Sequence, residues 1–252
     1  MLDLIKLRIR HGFQAIADIR NASLMETHRG FPVIDEKKNM NDWQKIIDAC
    51  PTNAITKNPV AIDLGKCIFC GECERASNRA IRFSNDYKLA ASKKDHLVVA
   101  SGASYKDYSA SAIDAQKKIH SLFGRSLKLR QVSAGGCNGC EMELSACGNV
   151  NFDMGRFGVD FVASPRHADG IVITGPVTKN MAPALMDAYK SISEPKIVIA
   201  VGACAISGGV FADSDELNRE LFNTIKIDLF IPGCPPHPLT IINAILGFIG
   251  KK

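Results

Sequence analysis

Nine cysteines stand in this 252-residue chain, at positions 50, 67, 70, 73, 137, 140, 147, 204 and 234. How they are used depends first on where the chain resides. The opening MLDLIKLRIRHGFQAIADIR lacks the apolar core and small-residue cleavage site of a secretory signal, and it contains no Arg-Arg pair. The sequence therefore reads as cytoplasmic. In a reducing compartment this number of cysteines points to metal ligation rather than to disulfides, and an odd count leaves at least one outside any paired scheme.

The spacing of the first four sharpens this. Two-cluster bacterial ferredoxins carry two runs of C-x2-C-x2-C-x3-C-P, and the fourth cysteine of each run ligates the other run's cluster. Here the second run has Cys67, Cys70 and Cys73, but its fourth position is Ser77, followed by Asn78. The first run keeps only Cys50-Pro51; its three earlier positions are Met40, Trp43 and Ile46. Every ligand of one cluster is missing and every ligand of the other is present. The pattern predicts one 4Fe-4S cluster on Cys50, Cys67, Cys70 and Cys73, with apolar side chains in the space of the lost one. Soft anionic thiolates suit iron, and the tight turns between them can aim N–H groups at sulfur. A four-cysteine zinc knuckle shares the C-x2-C spacing but accounts for neither the Cys-Pro nor the complementary losses. GKCIFCGECE followed by AIRFSNDYKLAASKKDHL resembles the ferredoxin-type electron-transfer subunits of formate hydrogenlyase and complex I, over about residues 28 to 98.

Beyond about residue 111 the texture changes. LKLRQVS (127–133), VDFVAS (159–164), GIVITG (170–175), KIVIAVG (196–202) and DLFIPG (228–233) read as buried strands, with helical segments at 179–191 and 237–249. Near-continuous Val, Ile and Leu strands alternating with helices indicate an α/β fold, a parallel sheet covered on both faces. Ligands of such sheets bind beyond the carboxyl ends of strands, near the switch in strand order. Cys137 and Cys140 follow the first strand, Cys204 follows 196–202 and Cys234 follows 228–231. Their topological equivalence brings them to one site, a second 4Fe-4S cluster, beside Gly135, Gly136, Gly139, Gly202 and Gly233, with Pro235 again after the last ligand. Cys137 and Cys140 alone would also suit a thioredoxin-like redox pair; the two distant cysteines favour the cluster.

The segments GGCNGCE, SPRHADGIVITGPV, GACAISGGVF and IPGCPP resemble, in this order, the small subunit of [NiFe] hydrogenases and its relative in respiratory complex I, over about residues 112 to 249. The resemblance implies a flavodoxin-like fold and a proximal 4Fe-4S cluster on Cys137, Cys140, Cys204 and Cys234. It also implies a [NiFe] hydrogenase large subunit as partner, holding the site where protons and H2 interconvert. Cys137-x-x-Cys140-Glu141 is similar to the hydrogenase form, whereas the complex I relative carries adjacent cysteines there. The expectation is an electron-carrying small subunit of a group 4, membrane-associated hydrogenase, held on the inner membrane face by complex-I-like membrane subunits, with a further electron-transfer subunit. A nickel-free, ion-translocating complex-I-like oxidoreductase is the alternative, and a zinc-stabilised assembly module is a competitor of another class.

The expected organisation is an amphipathic helix over 1–30, a small α+β ferredoxin-like domain over 31–98, a small and polar linker over 99–110, and the parallel-sheet domain over 111–252. No apolar window approaches the length of a membrane span. A net charge of +5, scattered rather than striped, gives no support to nucleic-acid binding, and no G-x-G-x-x-G, P-loop or G-x-S-x-G is present. Neither nickel nor flavin has a visible site. Cys147 reads as a buried structural thiol. Glu141 suits either a subunit interface or a helix start, and Arg166 and His167 are expected near the cluster end of the sheet, where they can tune its potential or simply be solvated.

Overall fold

The computed structural model describes residues 2–38, 43–113, 121–123 and 126–251. The N-terminal half runs α1 (Leu2–His11), β1 (Pro32–Ile34), α2 (Trp43–Asp48), β2 (Ile55–Lys57), β3 (Val60–Asp63), α3 (Glu72–Ala76), β4 (Ile81–Phe83), β5 (Val98–Ala100) and α4 (Tyr105–Ser111). Two small antiparallel sheets result, β1 with β4 and β2-β3-β5. Their inner faces share a core that includes Phe31, Ile46, Ile62, Leu64, Ile81 and Leu97.

Helix α1 buries none of its residues and ends at Gly12, whose φ is +63°. The expected helix over 1–30 is therefore confined to its first third. Beyond it the apolar residues are used differently. The Ile16 N–H donates to Asn151 O at 2.8 Å, Asn243 Nδ2 donates to Ile19 O at 2.9 Å, and Ile19 is buried in the C-terminal core. These long-range partners hold an irregular strap against the second half of the chain, and a continued helix would withdraw the backbone groups they need.

The 99–110 stretch also departs from its linker reading. Ala100 lies opposite Ala61 in the β3-β5 ladder, and α4 presents Tyr105 and Tyr108 to Phe31, with ring centroids 5.6 and 5.2 Å apart. Ser104 caps that helix by accepting from the Asp107 N–H. Small polar residues serve here as turn and cap between ordered elements.

The C-terminal half runs β6 (Leu127–Ser133), α5 (Gly139–Ala146), β7 (Val159–Phe161), β8 (Gly170–Thr174), α6 (Ala182–Ser191), β9 (Ile197–Val201), α7 (Ala203–Ser207), β10 (Leu229–Ile231) and α8 (Pro238–Phe248). The sheet order is β10-β9-β8-β6-β7, with every pairing parallel. Numbered from its own first strand this is 2-1-3-4-5, the flavodoxin-like order, with its switch between β6 and β8.

Alternation within β9 shows how the faces are shared. Ile197, Ile199 and Val201 join α5 and α8 in one core, Val198 joins α6 in another, and Ala200 joins the N-terminal half. That last contact is continued by hydrogen bonds: Ala91 N–H to Phe230 O at 3.0 Å, and Phe230 N–H to Ala91 O at 2.9 Å. The two halves are thus joined along β10 by backbone pairing and a common apolar core. Among the described residues no helix is long and apolar enough to cross a membrane.

Candidate metal centres

The first thiol set is built by local turns. Cys50 follows α2, and its N–H donates to Ile47 O at 3.0 Å; the Cys67 N–H donates to Asp63 O at 2.9 Å at the end of β3. Cys70 lies just before α3 and Cys73 within it. All four line one cavity, whose walls include Ile55, Ile62 and Phe83; Cys67 and Cys73 are buried, Cys50 and Cys70 half-buried. The Ala54 N–H donates to Cys50 Sγ and the Phe69 N–H to Cys67 Sγ, both at 3.3 Å. Burial pushes the Cys67 and Cys73 thiols up to about 12, and the other thiols of the set push in the same direction. This is a site for thiolates that needs a compensating cation, with donors already aimed at sulfur.

Three of the positions where the ferredoxin spacing lacks a cysteine are filled as core. Trp43 and Ile46 are buried, Ile46 completely. Ser77 is also fully buried; its hydroxyl accepts from the Ile81 N–H at 3.0 Å and donates to Glu74 O at 3.2 Å. Met40 lies outside the described residues.

The second set is built by topology. Cys137 leaves the carboxyl end of β6 and Cys140 lies in the first turn of α5. Cys204 sits in α7 directly after β9, and Cys234 follows β10. Burial raises the Cys140 thiol to about 12, followed by repulsion from Glu141, Cys204, Cys234 and Cys137. Burial, then Cys234 and Cys137, raise the Cys204 thiol to about 11. Four thiols within electrostatic reach of one another, drawn from three strand ends, constitute the site. Gly202 shows how closely the backbone approaches. Its φ is +90°, and a Cβ there would stand 2.5 Å from Cys140 Sγ, so only glycine leaves room for that sulfur.

Both donor sets suit iron-sulfur clusters in chemistry. Among the described residues no three His, Cys, Asp or Glu side chains stand as ligands of a single ion; a four-iron cluster instead offers each thiolate its own iron, around a cube rather than a point.

Residues 137–248 match the NADH ubiquinone oxidoreductase, 20 kDa subunit family. A probable membrane-bound hydrogenase subunit of Pyrococcus furiosus is 42% identical over 134 residues, which are 52% of this chain and 80% of that one. The chain belongs to this oxidoreductase subunit family. An NADH-quinone oxidoreductase subunit of Geotalea daltonii is 45% identical over 45% of this chain and 68% of its own. Formate hydrogenlyase subunit 7 of Escherichia coli is 45% identical over 51% of each. The family match begins at Cys137 and does not reach the first thiol set.

Within the family-matched half, the remaining residues of interest separate clearly. Glu141 accepts from the Thr174 hydroxyl at 2.7 Å. Burial pushes its carboxyl up, but hydrogen bonds from Ser133 and Thr174 outweigh this and leave it below its ordinary value. It therefore ties α5 to the ends of β6 and β8. Cys147 is fully buried, and its thiol donates to Glu143 O at 3.2 Å, as expected of a structural thiol.

Arg166 and His167 are not near the thiols. Their turn, Pro165–His167, precedes β8, and the Asp169 N–H that follows bonds Lys128 O at the start of β6. A loop entering a parallel strand lies at its amino end, opposite the carboxyl ends that carry the cysteines. A cation beside the second set is instead Arg219, whose Nη1 donates to Cys204 O at 3.3 Å. No motif or spacing in the sequence singles it out.

Proposed function

We propose that the chain is the electron-carrying small subunit of a multisubunit [NiFe] hydrogenase of the complex-I-like, membrane-associated type. Cys137, Cys140, Cys204 and Cys234 would hold a proximal 4Fe-4S cluster, and Cys50, Cys67, Cys70 and Cys73 a second one. The observation that carries this reading is the convergence of four thiols at the carboxyl ends of β6, β9 and β10, in a chain whose relatives include a membrane-bound hydrogenase subunit and a formate hydrogenlyase subunit. When bound, such clusters take up and release single electrons.

The chain's own residues then have defined tasks. Apolar walls shield Cys67 and Cys73 from water, and the Ala54 and Phe69 N–H groups would stabilise thiolate charge. Ile68 and Phe69 of the first loop and Gly233 to His237 of the last line one cleft, so the two ligand loops face each other as consecutive steps of a wire. Around the second set Met142, Val210 and Phe211 are exposed, an apolar rim suited to a large subunit holding the NiFe centre. The membrane attachment and the further electron-transfer subunit would then belong to partner chains.

Anaerobic co-purification tests the reading. The native complex should contain nickel, reduce viologen with H2, and yield about eight iron atoms per copy of this chain beyond those of other subunits. Zinc without sulfide at the cysteines would sink it. A second reading, a nickel-free complex-I-like oxidoreductase, is favoured by the 45% identity to the Geotalea daltonii NADH-quinone oxidoreductase subunit; a stable complex with both clusters but neither nickel nor H2 activity would select it. Cys50→Ala separately tests the ligand grouping, since it should damage the cluster of Cys67, Cys70 and Cys73 and leave the proximal EPR signal intact.

A further inference from the structure

We infer that Arg219 is the fixed positive charge that raises the reduction potential of the group held by Cys137, Cys140, Cys204 and Cys234; the inference rests on the cluster assignment proposed above. Its guanidinium is fastened by four main-chain carbonyls. Nη1 donates to Pro176 O at 3.1 Å and to Cys204 O at 3.3 Å, and Nη2 to Ala205 O at 3.0 Å and Ile206 O at 2.8 Å. One side chain thus joins the loop after β8 to the ligand-bearing helix α7, with its charge 4.6 Å from the centre of the Phe222 ring. The planar fork makes this possible, and a guanidinium keeps its proton at any physiological pH.

No carboxylate among the described residues is paired with it. Burial lowers its affinity for the proton, to about 10, and the ionisable group that acts in the opposite direction is the Cys204 thiol. A purely structural account is that Arg219 closes the free carbonyls of a five-residue helix. Capping needs donors, however, and a neutral amide supplies donors without the cost of holding an unpaired cation away from water. An anionic cluster on the next side chain supplies the missing counter-charge. Adding an electron beside a fixed cation is favoured, so the reduced form is stabilised and the potential rises.

The test is an EPR-monitored redox titration of the full chain in its anaerobically purified complex, comparing wild type with Arg219→Gln and Arg219→Lys. At a fixed potential Gln should lower the ratio of reduced to oxidised proximal cluster by roughly tenfold, about 59 mV for one electron. Lys should restore most of it, and the cluster on Cys50, Cys67, Cys70 and Cys73 should move far less in both variants. An assembled Gln variant with an unchanged proximal potential overturns the inference while leaving the cluster assignment intact. Should Gln prevent assembly, an assembled Lys variant supports the requirement for charge, and failure of both variants makes the role structural and overturns it. Wild-type protein lacking iron and sulfide at the second set would be a failure of the cluster assignment itself.

Discussion

The two thiol sets have the same chemistry and opposite architectures. In the first, three cysteines fall within positions 67 to 73, all four line a largely apolar cavity, and Cys67 and Cys73 are buried while Cys50 and Cys70 are half-buried. In the second, the cysteines run from 137 to 234, and Cys137 and Cys234 are exposed. A local motif carries its own surroundings with it, whereas the second site exists only while β6, β9 and β10 hold their parallel register. Under the function proposed above, the more buried first set would suit an inner step of electron transfer, and the exposed Cys137 and Cys234 would place the second set at a contact with another chain.

The largest test of this contrast is Gly202→Ala. The backbone there has φ +90° and ψ 155°, a region that costs a residue with a side chain about 1–3 kcal/mol, and the added methyl would meet Cys140 Sγ at 2.5 Å. The expected outcome is loss of the proximal signal, with iron falling from about eight to about four atoms per chain and the first cluster's EPR spectrum unchanged. Loss of both signals would mean that the sites form one cooperative unit.

The same contrast governs what the sequence discloses. The first thiol set is legible because its cysteines and the positions that lack one sit at fixed offsets: apolar filling at Trp43 and Ile46 is expected from spacing alone, and both are buried. The sheet is legible because β8 and β9 are continuous apolar runs. What escapes is whatever depends on distant partners. The 99–110 stretch reads as a linker until Ala61 is seen opposite Ala100, and the Ala91–Phe230 bridge joins residues with no common pattern. Helix α1 stops early because Ile16 and Ile19 find partners in the other half of the chain. Arg219 acts through carbonyls, which every residue possesses, so its sequence surroundings give no signal.

Next in size is Ile46→Ala. Ile46 is fully buried at a position where the ferredoxin spacing would have a cysteine, so truncation should cost about 2–5 kcal/mol. A urea titration of the iron-loaded protein should register that loss while its iron content stays constant. Ser77→Cys provides the converse test: one restored ligand among core residues should add no iron.

Removal of the metal should expose a smaller, pH-dependent effect. The folded chain raises Cys67, Cys73 and Cys140 to about 12, against about 8.5 for a free thiol. A raised pKa means that the folded state holds the proton more tightly. The associated stability is complete below pH ~8.5 and is lost as pH rises toward 12. Stripped of iron under reducing conditions, the protein should show a melting temperature that falls over this window. The loaded protein should show a much weaker dependence, because its thiols are committed as ligands and have no proton to lose. Parallel curves would argue against cysteine ligation.

The smallest effect is expected at the one cysteine outside both sets. Cys147 lies seven residues after Cys140, about 10 Å farther along the helical direction, and so points to the same side of α5 but away from the strand ends. It shares a core with Leu144, Leu239 and Ile242, and burial raises its thiol to about 12. Cys147→Ala should cost about 1 kcal/mol and leave iron content and both EPR signals unchanged. In the native protein iodoacetamide should leave this thiol unmodified, because alkylation needs an accessible thiolate, and only unfolding should release it. Alkylation of the folded, iron-loaded protein at Cys147 would show that the α5–α8 contact opens readily. The second site would then rest on a less rigid frame than its dependence on strand register requires.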